Sequence, residues 1–373
     1  MNDNFKLVCP CLLGIEGLAA DELKRMGAQE VEPENGRVIF NGSYEMIARA
    51  NINSRYSERV QILLGRFKAY SFEELFQAVK SIEWERWIGK NDKFPVKGRS
   101  LSSKLSSIPD CQSIIKKAVV ERLKSKYKIN WFEESGSLFQ IQFLILKDTV
   151  SIMLDTSGSG LHKRGYRAVS GEAPIKETLA CAMTDLSHVR RSSIVFDPFC
   201  GSGTILIEAA LKAMSIAPGI KRTFIADTWD IIPKSVWKQE RELARSKEVR
   251  DCDFFAYGYD TDKDCIELAK ANAEKAGVGD KIKFALRDIR DFSETSEKGT
   301  VICNPPYGER LLNIQEAQRL YKIAGEKFVK KDNWSYSIIS PDDDFEQFFG
   351  RKADKRRKLY NGMLKCQLYM YFK

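Results

Sequence analysis

Histidine is nearly absent from this chain. Its 373 residues include two, His162 and His188, and the nine cysteines stand singly apart from Cys9-Pro10-Cys11. Without a CxxC pair there is little from which to build a zinc or iron–sulfur centre, so no metal is expected. An odd number of scattered thiols suits a reducing compartment rather than a disulfide framework. No apolar run approaches the roughly 20 residues of a membrane span, and Met1-Asn2-Asp3-Asn4-Phe5-Lys6 lacks the basic and apolar regions of a secretory signal. A cytoplasmic protein without a membrane partner is the expectation. Two nucleotide signatures are missing as well. Leu206 stands where the dinucleotide fingerprint needs its third glycine, and no GxxxxGK[ST] run is present to cradle a triphosphate.

What is present is positive charge, unevenly spread. The formal net charge is +9, and between Val60 and Ala168 there are 19 Lys and Arg against 11 Asp and Glu. A basic stretch of that kind fits a polyanionic partner. The chain is long enough for two or three domains. Its first 155 residues mix short strands with amphipathic helices, at 17–26, 43–50, 71–90 and 113–126. The Ser/Gly-rich stretch Thr156-Ser157-Gly158-Ser159-Gly160 reads as the start of a linker. Beyond about residue 170, strands alternate with long helices, the pattern of a mostly parallel α/β sheet. The strands are expected at 194–197, 255–260, 282–288, 300–304 and 336–341. An antiparallel pair around Asn361-Gly362 closes the chain.

Three of those strands end on a carboxylate, Asp197, Asp260 and Asp288, and in an open parallel sheet such ends converge on one crevice. The loop Asp197-Pro198-Phe199-Cys200-Gly201-Ser202-Gly203-Thr204 brings glycine backbone to that crevice, where a ligand can approach closely. Asp260 is suited to ribose hydroxyls, and Asp288 to the exocyclic amine of adenine; adenosine without a phosphate chain fits the set. After the next strand comes Asn304-Pro305-Pro306-Tyr307-Gly308-Glu309-Arg310. An amine conjugated to a base ring is a poor nucleophile because its lone pair is delocalised. Two fixed acceptors, the Asn304 side-chain oxygen and the Pro305 carbonyl, can redirect that pair by holding the amine hydrogens. Consecutive prolines keep the acceptors in place, and Tyr307 offers a ring to the base.

These residues resemble the class I S-adenosylmethionine-dependent methyltransferases that act on exocyclic amines of nucleobases. More closely, Leu161–Arg167, Ala173–Leu179, DPFCGSGTILIEAA at 197–210 and NPPYGER are similar to the THUMP-domain guanine-N2 methyltransferases of the RlmL type. The opening Cys9-Pro10, Gly14–Leu18 and Asp21-Glu22-Leu23 also look like that family's ferredoxin-like segment. The resemblance implies a ferredoxin-like domain at 1–65, a THUMP RNA-binding domain at 66–156, a linker at 157–170 and a Rossmann-like methyltransferase domain at 171–373. It implies S-adenosylmethionine held by Asp197, Phe199, Cys200, Gly201, Gly203, Thr204, Asp260, Thr261, Asp288, Ile289 and Asn304. The 173–179 segment would close over this cofactor, and Asn304, Pro305, Pro306 and Tyr307 would take the guanine. RNA is the implied partner, 23S rRNA first and tRNA as the alternative. Lys116, Lys117, Lys124, Lys163, Arg164 and Arg167 are the candidate phosphate contacts. An amino group of adenine or cytosine in DNA, a protein glutamine, and an RNA-binding protein without catalysis stay open as rivals.

Overall fold

The computed structural model describes residues 4–167, 175–293, 296–307 and 314–372. The N-terminal half contains β1 (Phe5–Pro10), α1 (Glu16–Arg25), β2 (Gln29–Glu34), β3 (Arg37–Gly42), α2 (Tyr44–Asn53) and β4 (Gln61–Lys68). It continues with α3 (Phe72–Ser81), β5 (Val96–Leu101), α4 (Ile108–Tyr127), β6 (Ile141–Leu146) and β7 (Thr149–Asp155). All seven strands form one sheet in the order β2-β3-β1-β4-β7-β6-β5. The expected boundary at 65/66 therefore falls inside β4, which pairs with β1 on one side and β7 on the other. β2 and β4 have no counterpart in the sequence reading. The exposed, glutamate-rich β2 carries no period-two apolar signal, and β4 is interrupted by a register shift between Leu63 and Gly65.

Helix ends follow side-chain chemistry. Ser71 accepts the Glu74 N–H at the start of α3. That helix is shorter than the apolar pattern suggests because Ile82 turns extended and the Trp84 indole donates to the Val79 carbonyl at 2.8 Å. In α4 the start lies earlier than expected, with Ser107 accepting the Asp110 N–H and Pro109 in the first turn.

The C-terminal half holds α5 (Glu177–Leu186), β8 (Ile194–Asp197), α6 (Thr204–Ala213), α7 (Lys234–Ser246), β9 (Phe255–Asp260), α8 (Lys263–Ala276) and β10 (Ile282–Leu286). After it come β11 (Gly299–Cys303), α9 (Ile314–Lys327), β12 (Trp334–Ser340), α10 (Phe345–Phe349), β13 (Lys355–Asn361) and β14 (Leu364–Tyr371). The sheet order is β10-β9-β8-β11-β12-β14-β13. The first five strands are parallel; β14 runs antiparallel to β12, and β13 to β14. Chain direction reverses its progress between β8 and β11, so the crevice of an open α/β sheet lies at their C-terminal ends. α7 is absent from the sequence reading, since its polar composition hides a narrow buried face of Val236, Trp237, Glu240 and Ala244.

The halves are packed against each other. Phe139 stacks on Trp229 with centroids 4.3 Å apart, and the Trp229 indole donates to the Leu138 carbonyl. Arg49 forms a two-pronged pair with Glu240, while Arg55 donates to the Ile216 carbonyl at 2.7 Å. Of the expected linker at 157–170, residues 157–167 are described, and they are packed rather than slack. Thr156, Ser157, Leu161, Arg164 and Tyr166 are buried, and Ser157 Oγ donates to Asn51 Oδ1 at 2.6 Å. Small residues are present here to fit a tight strap, not to give slack. Among the described residues, no helix is long and apolar enough to cross a membrane.

Candidate active site

The loop after β8 is held by its own backbone and by neighbouring strands. Asp197 Oδ1 accepts the Phe199 N–H at 3.0 Å, and Cys200 N–H donates to the Tyr259 carbonyl at 2.9 Å. Gly201 N–H donates to Asp260 Oδ2 at 2.9 Å, which ties the loop to the end of β9. The two glycines serve different ends. Gly201 has φ +48° and open space where a Cβ would stand, whereas a Cβ at Gly203, with φ +78°, would lie 3.1 Å from both the Ala269 Cβ and the Phe284 ring. One leaves room above the loop; the other lets the loop settle on α8 and β10.

Asp197 is almost fully buried, and burial, reinforced by the nearby Asp260 carboxylate, pushes its pKa well above the usual carboxylate range despite the Phe199 N–H. Asp260 is half-buried at the strand end, its other oxygen accepting the Asp262 N–H at 3.0 Å. Thr261 is exposed beside it. Asp288 caps a short 3-10 turn by accepting the Arg290 N–H at 2.8 Å, and Ile289 is buried behind it. Cys200 and Cys303 are buried thiols whose pKa values burial pushes far up, so neither supplies a thiolate nucleophile.

At the end of β11, Asn304 Oδ1 is buried and has no hydrogen-bond partner among the described residues. A buried acceptor left unmatched costs about 1–3 kcal/mol, and a donor arriving in a ligand removes that cost. Pro305 is buried next to it. Tyr307 accepts the Asn361 side-chain N–H at 2.9 Å, which fixes the ring against the β13–β14 hairpin. Gly308, Glu309 and Arg310 of the motif lie outside the described residues, as do Ala173 and Pro174 of the segment expected to cover the cofactor.

Three further groups converge here: Arg167, which the sequence reading offered to phosphate, Glu177, which it held only as part of the 173–179 run, and Glu58, which it did not assign. Glu177, at the first turn of α5, is buried, with Oε2 unpartnered among the described residues. Burial pushes its pKa up against the opposing Arg167 charge. Arg167 stands 3.6 Å from Glu177 and donates to Thr204 Oγ1 at 2.8 Å and the Ile175 carbonyl at 3.1 Å. Glu58, from the N-terminal half, accepts from Thr178 Oγ1 at 2.7 Å and Lys176 Nζ at 3.2 Å. Only Arg167 and the 173–179 run carried a sequence signal, and ten residues separate Arg167 from its partner.

The basic residues expected to meet phosphate divide. Lys117 and Lys163 are exposed and Lys124 is half-exposed. Lys116 is not free: its Nζ lies 2.5 Å from Glu134 Oε1 and 3.5 Å above the Phe94 ring. Arg164 is buried, donating to the Leu161 and Arg55 carbonyls. Arg167 is turned inward, onto Thr204, the Ile175 carbonyl and Glu177.

An adenosyl sulfonium fits this set. A cation would ease the burial of the Asp197 and Glu177 carboxyls, space is open above Gly201 among the described residues, and the carboxylates of Asp260 and Asp288 can accept from hydroxyls and an amine.

The comparisons agree with this architecture. Residues 164–370 match the RMKL-like methyltransferase domain family UPF0020, residues 6–61 the RlmL ferredoxin-like domain, and residues 69–155 the THUMP domain. The chain is 43% identical over 370 residues to "Putative RNA methyltransferase YpsC" of Bacillus subtilis, covering 99% of this chain and 96% of that protein. It is 34% identical to "Ribosomal RNA large subunit methyltransferase K/L" of Shewanella baltica over 99% of its own length, and spans about half of that relative (53%). The crystal structure of "SMU.472, a putative methyltransferase complexed with SAH" superposes with a TM-score of 0.94 at 41% identity, covering 100% of this chain and 99% of that one. The chain therefore belongs to the RMKL-like methyltransferase family, here preceded by an RlmL ferredoxin-like domain and a THUMP domain.

Proposed function

We propose that this protein transfers the methyl group of S-adenosylmethionine to the exocyclic N2 of a guanine in RNA, with 23S rRNA as the first substrate and tRNA as the alternative. The cofactor, when bound, supplies an electrophilic methyl carbon on a sulfonium. The single observation that carries the reading is the buried oxygen of Asn304, unpartnered among the described residues, at the head of Asn304-Pro305-Pro306-Tyr307. That oxygen and the Pro305 carbonyl accept the two amine hydrogens, which turns the nitrogen lone pair out of conjugation and toward the methyl carbon. Pro305 and Pro306 have their φ fixed by the ring, which stiffens the backbone directly after Asn304, so little ordering remains to be done when substrate arrives. Tyr307, anchored through Asn361, gives the purine a fixed ring to rest against.

Cofactor contacts fall to Asp197, Phe199, Cys200, Gly201, Gly203, Thr204, Asp260, Thr261, Asp288 and Ile289, with Asn304 at the border between cofactor and base, so that its loss leaves the other contacts in place. RNA rather than DNA is favoured by the THUMP match over 69–155 and by the names of the Bacillus subtilis and Shewanella baltica relatives. Lys117, Lys124 and Lys163 contact phosphate, and the target base leaves its stack to reach the pocket.

Asn304→Ala tests the reading. Losing one positioned hydrogen-bonding group at a reaction centre lowers turnover by about 10²–10³, while calorimetry should show S-adenosylmethionine binding retained. An Asn304→Ala protein that methylates as fast as the parent removes the mechanism. Mass mapping of methylated guanines in 23S rRNA and tRNA from cells lacking the gene identifies the substrate; loss confined to tRNA selects the alternative.

A further inference from the structure

Half of the cations that the sequence offers to RNA are engaged inside the fold, which leaves open what holds the substrate strand next to Asn304. The C-terminal hairpin has the required features. β14 runs antiparallel to β12, so the turn between β13 and β14 lies at the C-terminal end of β11, where Asn304-Pro305-Pro306-Tyr307 begins. The Asn361–Tyr307 hydrogen bond of 2.9 Å links the two directly.

From Lys355 to Tyr371 there are five Lys and Arg and no acidic residue. Two are used internally: Arg356 pairs with Glu346, and Arg357 donates to the Gly14 carbonyl. Lys358 and Lys365 are exposed and have no acidic partner among the described residues. In the hairpin register Leu359 faces Cys366 and Tyr360 faces Lys365, and the first pair is buried. Side chains alternate along a strand, so Lys358, Tyr360 and Lys365 share the opposite face. Lys358 Nζ lies 5.5 Å from the Tyr360 ring. The two-residue turn carries Gly362 at φ +65° and Met363, which is 99% exposed.

Lysines on an edge strand also discourage strand-to-strand aggregation. That role explains Lys355 and Lys358 but not a half-exposed tyrosine set between two lysines, nor a bare methionine at the tip. Cations interleaved with a stacking surface suit single-stranded nucleic acid, and apolar tips such as methionine are used as wedges against base stacks.

We propose that the β13–β14 hairpin is an RNA-contact element: Lys358 and Lys365 take phosphates of the strand carrying the target base, and Tyr360 and Met363 lie against the bases beside it. This rests on RNA being the substrate. The three exposed side chains used as tests stand outside the core and the cofactor site, so their substitution leaves folding and cofactor affinity intact.

The test uses the full-length protein, a fluorescein-labelled single-stranded oligoribonucleotide for binding and a 23S rRNA transcript for methylation. In Lys358→Ala/Lys365→Ala, the slope of log affinity against log salt should flatten by about 0.7 for each contact removed. KM for the transcript should rise, with the S-adenosylmethionine dissociation constant unchanged. Met363→Ala should weaken oligonucleotide binding severalfold at unchanged slope. Parental slope and affinity in both variants overturn the proposal, whatever the enzyme methylates. A parent that binds the oligonucleotide through these residues yet transfers no methyl to any guanine leaves the hairpin assignment standing and removes the guanine reading instead.

Discussion

The Arg164 guanidinium and the Glu208 carboxylate face each other with Nε and Oε1 3.7 Å apart, in side chains 2% and 0% exposed. The Tyr166 hydroxyl and the Cys181 thiol both donate to the same carboxylate, at 2.9 and 2.8 Å. Arg164 meanwhile donates to the Arg55 carbonyl at 2.6 Å, so one buried network joins α6, α5, the strap and the N-terminal half.

Arg164→Ala leaves the Glu208 charge buried without its cation. Breaking a buried pair from one side costs about 3–5 kcal/mol, so urea unfolding should show a loss of that order. The salt slope of RNA binding by the folded protein should stay parental. A phosphate contact would behave in the opposite way, with stability changing by no more than about 0.5 kcal/mol and a flatter slope.

Lys116 is separated from its neighbours by the same reasoning. Desolvation lowers its pKa against the opposing pull of Glu134, and its ammonium is committed to that carboxylate and to the Phe94 ring. Lys116→Ala should leave the salt slope unchanged, whereas Lys117→Ala, Lys124→Ala and Lys163→Ala together should flatten it by about 0.7 to 0.9 per contact. An equal contribution from Lys116 would show that its pair with Glu134 opens on binding.

The two glycines of the loop after β8, proposed to hold the cofactor, should fail differently. A left-handed backbone costs alanine about 1–2 kcal/mol at either position. Gly203→Ala adds crowding against Ala269 and Phe284, so its main effect should be a lowered melting temperature. Gly201→Ala meets no atom of the described residues within 4 Å and puts its methyl into the open space above the loop. Its S-adenosylmethionine dissociation constant should rise about tenfold or more, equivalent to about 1.4 kcal/mol. The reverse ranking would place the cofactor elsewhere.

What the sequence made legible was local. β8 and β9 coincide with their expected spans residue for residue, and β10 and β11 end within two residues of theirs. The central strands β8 and β11 are buried apolar blocks between turns, whereas β10 is a mostly exposed edge strand marked by its flanking turns. Asp197, Asp260 and Asn304 follow because each sits directly at a strand end. Long-range partnerships left no such trace. Nothing near Glu58 says that it will hold Lys176 and Thr178, more than a hundred residues away. The glycines and serines of 156–160 carry the composition of a loose linker, yet here they fit a tight strap with Thr156, Ser157 and Gly160 buried. Exposure of cations was likewise unreadable, since helical spacing gives a face for Lys116 but not the Glu134 that meets it.

Glu58 gives the last prediction, because it connects the N-terminal half to the start of α5. Burial pushes its carboxyl up, but the His162 imidazole 2.9 Å away, the Lys176 charge and the Thr178 hydroxyl outweigh burial and hold it at about 2, below the ordinary 4.5. A carboxyl with a depressed folded-state pKa stabilises the fold fully above its unfolded value and loses that contribution as pH falls toward the folded value. The stability advantage of the parent over Glu58→Gln should therefore be complete near neutrality and shrink between about pH 4.5 and 2. Urea midpoints for both proteins across that range provide the measurement. Because Lys176 immediately precedes Glu177, the same substitution should also raise the S-adenosylmethionine dissociation constant at neutral pH. Parallel stability curves, with cofactor affinity unchanged, would show that Glu58 merely accompanies α5 without holding it.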